Sequence, residues 1–137
     1  MIRQLMRSQV FLSLPAVPAT VEDLAIAQDL LDTLNAHSDT CVGMSANMIG
    51  QRKAIIAFTD SKGKNRLALN PQLVKANGEY QTEEGCLSLD GVRPTKRYRK
   101  VRIKYQDVSF AWHEEWFEGL AAQSIQHQLD HLAGKVI

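Results

Sequence analysis

The C-terminal part of the chain carries the pattern that most restricts its fold. Apolar residues recur at helical spacing from Gly119 to Ala133, and Gly134 is a natural stop for a helix. On that helix His127 and His131 lie four residues apart on one face, so both imidazoles can reach one ion. Two surface histidines without a common partner would show the same spacing, so the pattern alone leaves both interpretations open.

The first part of the chain predicts a second helix. Residues 1–19 are expected to be extended, because Pro15 and Pro18 disfavour helix. Thr20 is a natural N-cap residue, followed by acidic residues in the next turn and by an apolar stripe. We therefore predict a helix over residues 21–37.

Between the two helices, apolar runs and alternating patterns predict strands. These strands lie at residues 54–58, 66–70, 101–106 and 109–117. Pro71 is expected to end the second of them, and residues 73–81 are expected to pair around a turn at Asn77-Gly78. The order of helix, antiparallel strands and helix indicates an α+β fold, with a single domain over residues 1–137.

The bulk composition excludes several classes of protein. The chain has 137 residues, of which 45% are hydrophobic and 23% are charged, as expected of a folded globular protein. A net charge of +1 makes neither a membrane nor a specific nucleic acid an obvious partner. No apolar stretch approaches the roughly 20 residues of a membrane span, and no signal peptide is recognisable, so we expect a cytoplasmic protein.

Each of the two cysteines needs its own explanation, because a disulfide is not expected in the cytoplasm. Cys41 is interpreted as a small core residue. Cys86 lies between predicted strands and fits either a small buried residue or a thiolate ligand. Together with His127 and His131 it would leave the fourth position of a metal ion open for water, as in catalytic sites.

Three blocks of the sequence resemble the signature motifs of the peptide deformylases. Glu84–Ser88 reads E-G-C-L-S, as that family does. Gln126–His131, followed by Leu132 and Gly134, resembles its Q-H-E-x-D-H-L-x-G, and Val42–Gly50 resembles its G-x-G-x-A-A-x-Q. The order and the spacing of the three blocks also fit, and the resemblance spans the whole chain.

This resemblance implies a fold and a reaction. Antiparallel sheets would surround a C-terminal helix that bears the histidines, with an N-terminal helix beside them. A ferrous ion, replaceable by zinc or nickel, would be held by Cys86, His127 and His131. The substrate would be the formyl-methionine terminus of a nascent peptide, and the bound cation would make hydroxide available near neutral pH to release formate.

The resemblance also implies roles for the residues around the ion. The backbone N–H of Leu87 would donate to the developing oxyanion. Glu84 and Asp130 are expected to orient the metal ligands, although an ordinary salt bridge explains each of them equally well. Six residues are expected to contact the formyl peptide: Val42, Gly43, Met44, Glu84, Gly85 and Arg93.

Two positions depart from the family pattern. Gln128 stands where the family has a glutamate that passes a proton from water to the leaving amine, and an amide cannot exchange a proton at physiological pH. General acid–base help is worth roughly 10²–10⁴ in rate, so a loss of about that order is expected. Met48 stands where the family has a glutamine that helps to hold the oxyanion, and methionine has no donor.

The departure at Gln128 has three explanations. The chain is a natural homologue that binds metal and formyl peptide but turns over slowly or not at all, or it carries an engineered change that traps substrate, or another group carries the proton. The alternative function is therefore a non-catalytic protein that binds metal and formyl peptide. A zinc protease with two helical histidines is disfavoured, because the motif Glu84–Ser88 has no place in it.

A stripe of basic residues without an acid among them runs over residues 93–104. The solvated face of a strand explains this stripe, and contact with the substrate backbone or with the ribosome is the functional alternative. Arg93 is the preferred substrate contact, and Arg97 is expected to pair with Asp130. We see no interleaving of aromatic residues in the stripe that would indicate base stacking.

Overall fold

The structure is a computed structural model that describes residues 1–86 and 89–135. The helices of these ranges are α1 (Gln9–Leu12), α2 (Leu24–Ala36) and α3 (Gly119–Leu132). The strands are β1 (Gly43–Ser45), β2 (Ile55–Thr59), β3 (Asn65–Cys86), β4 (Leu89–Gln106) and β5 (Trp112–Glu118). The strands form one antiparallel sheet in the order β1-β2-β3-β4-β5, which confirms the predicted α+β class.

Strand β2 separates two hydrophobic cores. Its apolar residues are fully buried, which confirms the strand predicted at residues 54–58. Because side chains alternate along a strand, Ile55 and Ala57 pack in the cluster that contains the buried residues of α2, whereas Ile56 and Phe58 pack in the cluster that contains those of α3. A continuous apolar run is what a strand covered on both faces requires.

The long hairpin of β3 and β4 overturns two predictions. Pro71 does not end a strand, because β3 continues through it with a shift of register, where a residue without an N–H is tolerated. Asn77-Gly78 does not form a turn, because Asn77 pairs with Lys100 in the middle of the ladder. The local preference for a turn was outweighed because β4 supplies partners along almost the whole of β3.

The N-terminal segment differs from its prediction in one respect. Residues 1–19 were expected to be extended, but they contain the short helix α1. Ser8 caps this helix by accepting from the N–H of Phe11 at 3.3 Å, and Leu12 within it is fully buried. The prolines that argued against helix both lie beyond Leu12, so they restrict only the chain that follows.

The helix predicted over residues 21–37 is confirmed in its main part as α2. Its first turn, Val21–Asp23, is a 3-10 helix instead of an α-helix. The Asp23 carboxylate accepts from the N–H of Thr20 at 2.8 Å, so this turn is closed by the two residues at its ends.

The last strand and the last helix follow the prediction closely. Strand β5 begins at Trp112 and not at residue 109, because the Asp107 carboxylate accepts from the N–H groups of Ser109 and Ala111 and closes a turn. Helix α3 ends close to Gly134, whose φ of +81° favours glycine. None of the helices in the described ranges is both long and apolar enough to span a membrane.

Phe58 packs in the core cluster that contains the buried residues of α3, so the stability of the fold is expected to depend on its side chain. Its ring is fully buried and meets the ring of Phe117 edge-on at 5.3 Å between centroids. We expect Phe58→Ala to lower the free energy of unfolding by about 3–5 kcal/mol, because it removes buried apolar surface and leaves a cavity. Urea denaturation followed by circular dichroism measures this change. Val108→Ala, at an exposed position, should stay within about 0.5 kcal/mol, and equal losses in both variants would contradict the assignment of the core.

Candidate metal centre

The structure brings together the three residues that the sequence nominated as metal ligands. Cys86 ends β3, and His127 and His131 lie one turn apart on the buried face of α3. The candidate ligand atoms of the three residues all lie within 4.8 Å of one another, and the two Nε2 atoms are 3.1 Å apart. Both imidazoles are buried, and Cys86 is half-buried.

These three residues fit a divalent transition-metal ion. An ion with nitrogen ligands at about 2.0–2.1 Å in tetrahedral geometry holds two nitrogens roughly 3.3 Å apart, close to the separation found between His127 and His131. One thiolate sulfur and two imidazole nitrogens suit a borderline or soft ion better than magnesium or calcium. Three protein ligands leave the fourth position open, which is the arrangement of catalytic sites.

The carboxylate of Glu84 orients His127. Its Oε1 lies 2.8 Å from Nδ1 of His127, so this nitrogen carries a proton and the opposite nitrogen, Nε2, faces the ligand cluster. The same carboxylate accepts from Nη2 of Arg97 at 2.6 Å and from Nε2 of Gln123 at 2.9 Å. Arg97 in turn donates from Nη1 to Asp130 at 2.7 Å, as the sequence predicted.

This network changes the protonation of two groups. Burial alone would raise the pKa of Glu84, but hydrogen bonds from His127, Arg97 and Gln123 outweigh it and lower the pKa to about 2. Burial alone would lower the pKa of His127, but its contacts with Cys86 and Glu84 outweigh that effect and raise the pKa to about 9 in the metal-free protein. A metal ion bound by His127 would therefore have to displace a proton from it at neutral pH.

The backbone of α3 is held in place by two amide side chains. Asn47 donates from Nδ2 to the carbonyl of His131 at 2.9 Å, which ties the turn after β1 to the ligand helix. Gln126 accepts from the N–H of Tyr98 and donates to its carbonyl, both at 2.8 Å, which ties the same helix to β4. These bonds limit the positions that the two imidazoles can take.

A pocket of about 460 Å³ opens beside the ligand cluster. Cys86, His127 and Gln128 line it, and Val42–Gly43 and Glu83–Gly85 form other parts of its wall. Cys41 packs against the core cluster that contains α2 residues, as predicted, and it also lines the pocket. Burial raises the pKa of its thiol, which donates to the carbonyl of Gly43. The pocket therefore lies between strand β1 and the end of strand β3.

Gly43 is required by a close approach of β1 to α3. A Cβ atom at this position would lie 2.1 Å from Oγ of Ser124 and 3.0 Å from Nε2 of Gln128. Ser124 also donates to the carbonyl of Val42 at 3.0 Å, so it holds the strand at this distance. Only glycine allows β1 to pass this close to the helix.

The two positions that depart from the family pattern both lie at the pocket. Gln128 is buried, and its Oε1 has no hydrogen-bond partner among the residues that the structure describes. Met48 is buried as well, and its sulfur accepts from the N–H of Ser45 at 3.5 Å. Neither side chain can exchange a proton, and Met48 has no donor to offer to an oxyanion.

The remaining predicted site residues lie in different surroundings. Met44 is fully buried in the core cluster that contains α2 residues. Arg93 pairs in register with Glu84, and its Nη1 is buried without a hydrogen-bond partner in the described part of the chain. Asp130 contacts Arg97 and does not contact a histidine in the described hydrogen bonds, so it acts through the guanidinium. Leu87, the expected oxyanion donor, lies outside the described residues.

Sequence reasoning missed Gln123 as a partner of Glu84, and it missed the pairing of Arg97 with Glu84. Glutamine on the polar part of a helix carries no signal of its own. The positive charge of the basic stripe was a sequence signal for an ion pair between Arg97 and Glu84. Arg97 is opposite Tyr80 in the ladder, however, and it reaches Glu84 only diagonally.

The chain is similar to peptide deformylases over its whole length. The family described as polypeptide deformylase matches residues 11–137. The peptide deformylase of Clostridium beijerinckii is 41% identical, with all of both chains covered. Peptide deformylase 1 of Clostridium perfringens is 35% identical over 80% of this chain and 74% of its own length.

Solved structures of peptide deformylases share the fold. The enzyme of Thermotoga maritima superimposes with a TM-score of 0.88 at 25% identity, covering 99% of this chain and 95% of its own. The peptide deformylase of Legionella pneumophila gives a TM-score of 0.85 at 30% identity, covering 99% of this chain and 83% of its own.

The lowered pKa of Glu84 predicts an acid-sensitive fold. A carboxyl whose pKa is about 2 in the folded chain, against an ordinary value of 4.5, contributes stability above pH 4.5 and loses it as the pH falls towards 2. The metal-free protein should therefore lose about 3 kcal/mol over this window through Glu84 alone. Urea denaturation at a series of pH values measures it, with Glu84→Gln expected to show a flatter slope. Glu83→Gln, at an exposed neighbouring position, is the matched control, and equal slopes in both variants would refute the prediction.

Proposed function

The chain belongs to the polypeptide deformylase family and is a hydrolase of that type, and we propose that it acts on the N-formyl group at the formyl-methionine terminus of nascent peptides. The observation that carries this proposal is the convergence of Cys86, His127 and His131 beside an open pocket. The products would be formate and a free amino terminus.

Cys86, His127 and His131 are the residues that would hold the ion, which is Fe²⁺ by family resemblance, with Zn²⁺ or Ni²⁺ as substitutes. When bound, a divalent ion polarises the formyl carbonyl and lowers the pKa of water. Glu84 supports this role, because a carboxylate on Nδ1 fixes the ring orientation of His127 and makes its other nitrogen a better ligand.

The peptide would bind along the free edge of β1. Strand β1 is at one end of the sheet, and among the described residues it pairs with β2 alone. An extended peptide can add to such an edge through main-chain hydrogen bonds. Val42, Gly43 and Gly85 all belong to the wall of the pocket. Met44 and Arg93 remain proposed substrate contacts on the strength of the resemblance alone.

The backbone N–H of Leu87 and the side chain of Gln128 would face the reacting groups. Leu87 would donate to the oxyanion, as in the family. Gln128 keeps the length of glutamate and can hydrogen-bond water through its amide, but it cannot take up the proton of water or deliver one to the leaving amine. We therefore propose that the chain binds metal and formyl peptide and turns over slowly. A protein that binds both and does not turn over is the alternative, and the buried amide of Gln128 is the observation that favours it.

Because nascent peptides are the proposed substrates, we propose that the protein acts at the ribosome in the cytoplasm. The support for this is the substrate class, since formylated termini arise during translation. The basic stripe of β4 is compatible with such a contact.

Restoring the family glutamate tests the proposed function. We expect Gln128→Glu to raise kcat for formate release from a formyl-Met peptide by at least roughly 10²-fold with little change in KM, because it supplies the missing proton carrier. A coupled formate dehydrogenase assay on the metal-loaded protein measures this rate. Gln28→Glu, at an exposed position on α2, makes the same chemical change away from the site and should have no effect. If Gln128→Glu leaves kcat unchanged while metal remains bound, Gln128 does not limit turnover and the proposed role is wrong.

A further inference from the structure

The outer side of the sheet carries a surface whose residues do not line the pocket beside the ligand cluster. We name it the aromatic–basic face, and it consists of the outward side chains of Lys100, Arg102 and Lys104 on β4 and of Trp112 and Trp116 on β5. Both tryptophans are large side chains that remain 49% and 39% exposed. Tryptophan is enriched at binding interfaces, because its ring supplies a large apolar contact area and its indole N–H a polar group.

Strand alternation sets the direction of this face. Val101 and Ile103 are fully buried and pack in the cluster that contains Ile125 of α3. Lys100, Arg102 and Lys104 alternate with them and therefore point to the opposite side of the sheet. The face thus lies on the side of β4 that turns away from α3 and from the ligand cluster, and a partner bound there would leave the pocket open.

Cations and indole rings are interleaved across the two strands. Nζ of Lys104 lies 4.9 Å from the ring centroid of Trp112, and Nζ of Lys100 lies 5.5 Å from that of Trp116. Arg102, between the two lysines, forms an ion pair with Glu114. The expectation that the basic stripe lacks interleaved aromatic residues is therefore wrong, because Tyr98 lies between Arg97 and Arg99 in β4 and because β5 supplies two further rings at the surface.

The charge of the surface is positive on balance. Lys75 of β3 pairs in register with Arg102 and is exposed, so it adds a fourth cation. Glu114 and Glu118 of β5 are the carboxylates opposite Lys104 and Lys100. Four cations and two carboxylates give this sheet surface a net positive charge, and the two indoles add flat rings. A polyanion that carries flat rings of its own matches both properties.

We propose that the aromatic–basic face binds single-stranded RNA with little sequence preference. Bases would stack on Trp112 and Trp116, and the phosphates between them would meet Lys100 and Lys104. The two tryptophans are four residues apart on one strand, which separates them by about 13 Å. An extended strand of nucleotides spans that distance with its bases unstacked and free to lie on the rings.

Other partners match the surface less well. A lipid bilayer favours a continuous apolar patch, whereas Glu114 separates the two rings here. An acidic protein would pair with the cations and could cover the indoles, but a nucleic acid supplies both an anionic group and a flat ring at every repeat of its backbone. The proposal is independent of deformylation, because RNA binding requires neither the ion nor Gln128.

The chain provides its own probe for this test, because Trp112 and Trp116 are its two tryptophans. Titration of the intact protein with an oligouridylate of about 12 nucleotides at low salt should quench tryptophan fluorescence saturably as bases stack on the rings. Raising the salt concentration should weaken binding, since phosphate contacts release counterions. Vesicles of anionic phospholipid are the parallel titration and should leave the emission unchanged.

Two double variants test where RNA binds. The anisotropy of a fluorescein-labelled oligouridylate measures the RNA affinity of each variant. Replacing both tryptophans by alanine should weaken binding by at least roughly 30-fold. Replacing Lys100 and Lys104 by glutamine should make the slope of log K against log salt shallower by about 1.4. The control variant carries Lys62→Gln and Lys64→Gln in the turn between β2 and β3, so it loses the same charge at another place. Its affinity for the oligouridylate should stay within about twofold of that of the unmodified protein.

Circular dichroism and urea denaturation show whether each variant is folded. Absence of RNA binding by the intact protein at low salt would overturn the proposal. Binding that survives in the folded tryptophan variant, or a response to vesicles without a response to RNA, would overturn it as well. The rate of formate release plays no part in these outcomes, so they do not depend on whether the proposed function is correct.

Discussion

The buried carboxylate of Glu84 is the group on which the rest of the site depends. It accepts hydrogen bonds from Arg97 of β4 and from Gln123 and His127 of α3, so a single side chain of β3 joins three elements. Removing a carboxylate from water is costly unless such donors replace the water, and here they replace it completely enough to hold the pKa at about 2. The orientation of His127 and the position of Cys86, two residues beyond Glu84, follow from this contact.

In the proposed function, different residues of the site bind the ion and transfer the proton. Ion binding would depend on Cys86 and the two histidines, and Glu84 orients His127 among them. Proton transfer would depend on the position between the histidines, where Gln128 has the size of the glutamate expected from the family resemblance and none of its acidity. The pocket and the ligand cluster can therefore persist unchanged while catalysis is lost, and structural similarity to deformylases does not by itself measure activity.

Local patterns predicted the elements that local contacts determine. The periodicity of α2 and α3 and the apolar run of β2 were sufficient, because burial of one stripe or of both faces is visible in sequence. Asn77-Gly78 was misjudged because pairing with a distant strand outweighed a local turn preference. The meeting of Cys86 with the histidines could be inferred only from resemblance, since no spacing rule joins residues 86 and 127. Gln123 gave no sequence signal, because its role depends entirely on where Glu84 points.

The coordination sphere of a bound ion tests the central claim most directly. X-ray absorption spectroscopy of the zinc-loaded protein should show one sulfur at about 2.3 Å and imidazole nitrogens at about 2.0–2.1 Å, with the remaining ligand a light atom. The sulfur contribution should disappear in Cys86→Ser. A spectrum without sulfur in the unmodified protein, or one with two sulfurs, would contradict a centre built from Cys86, His127 and His131.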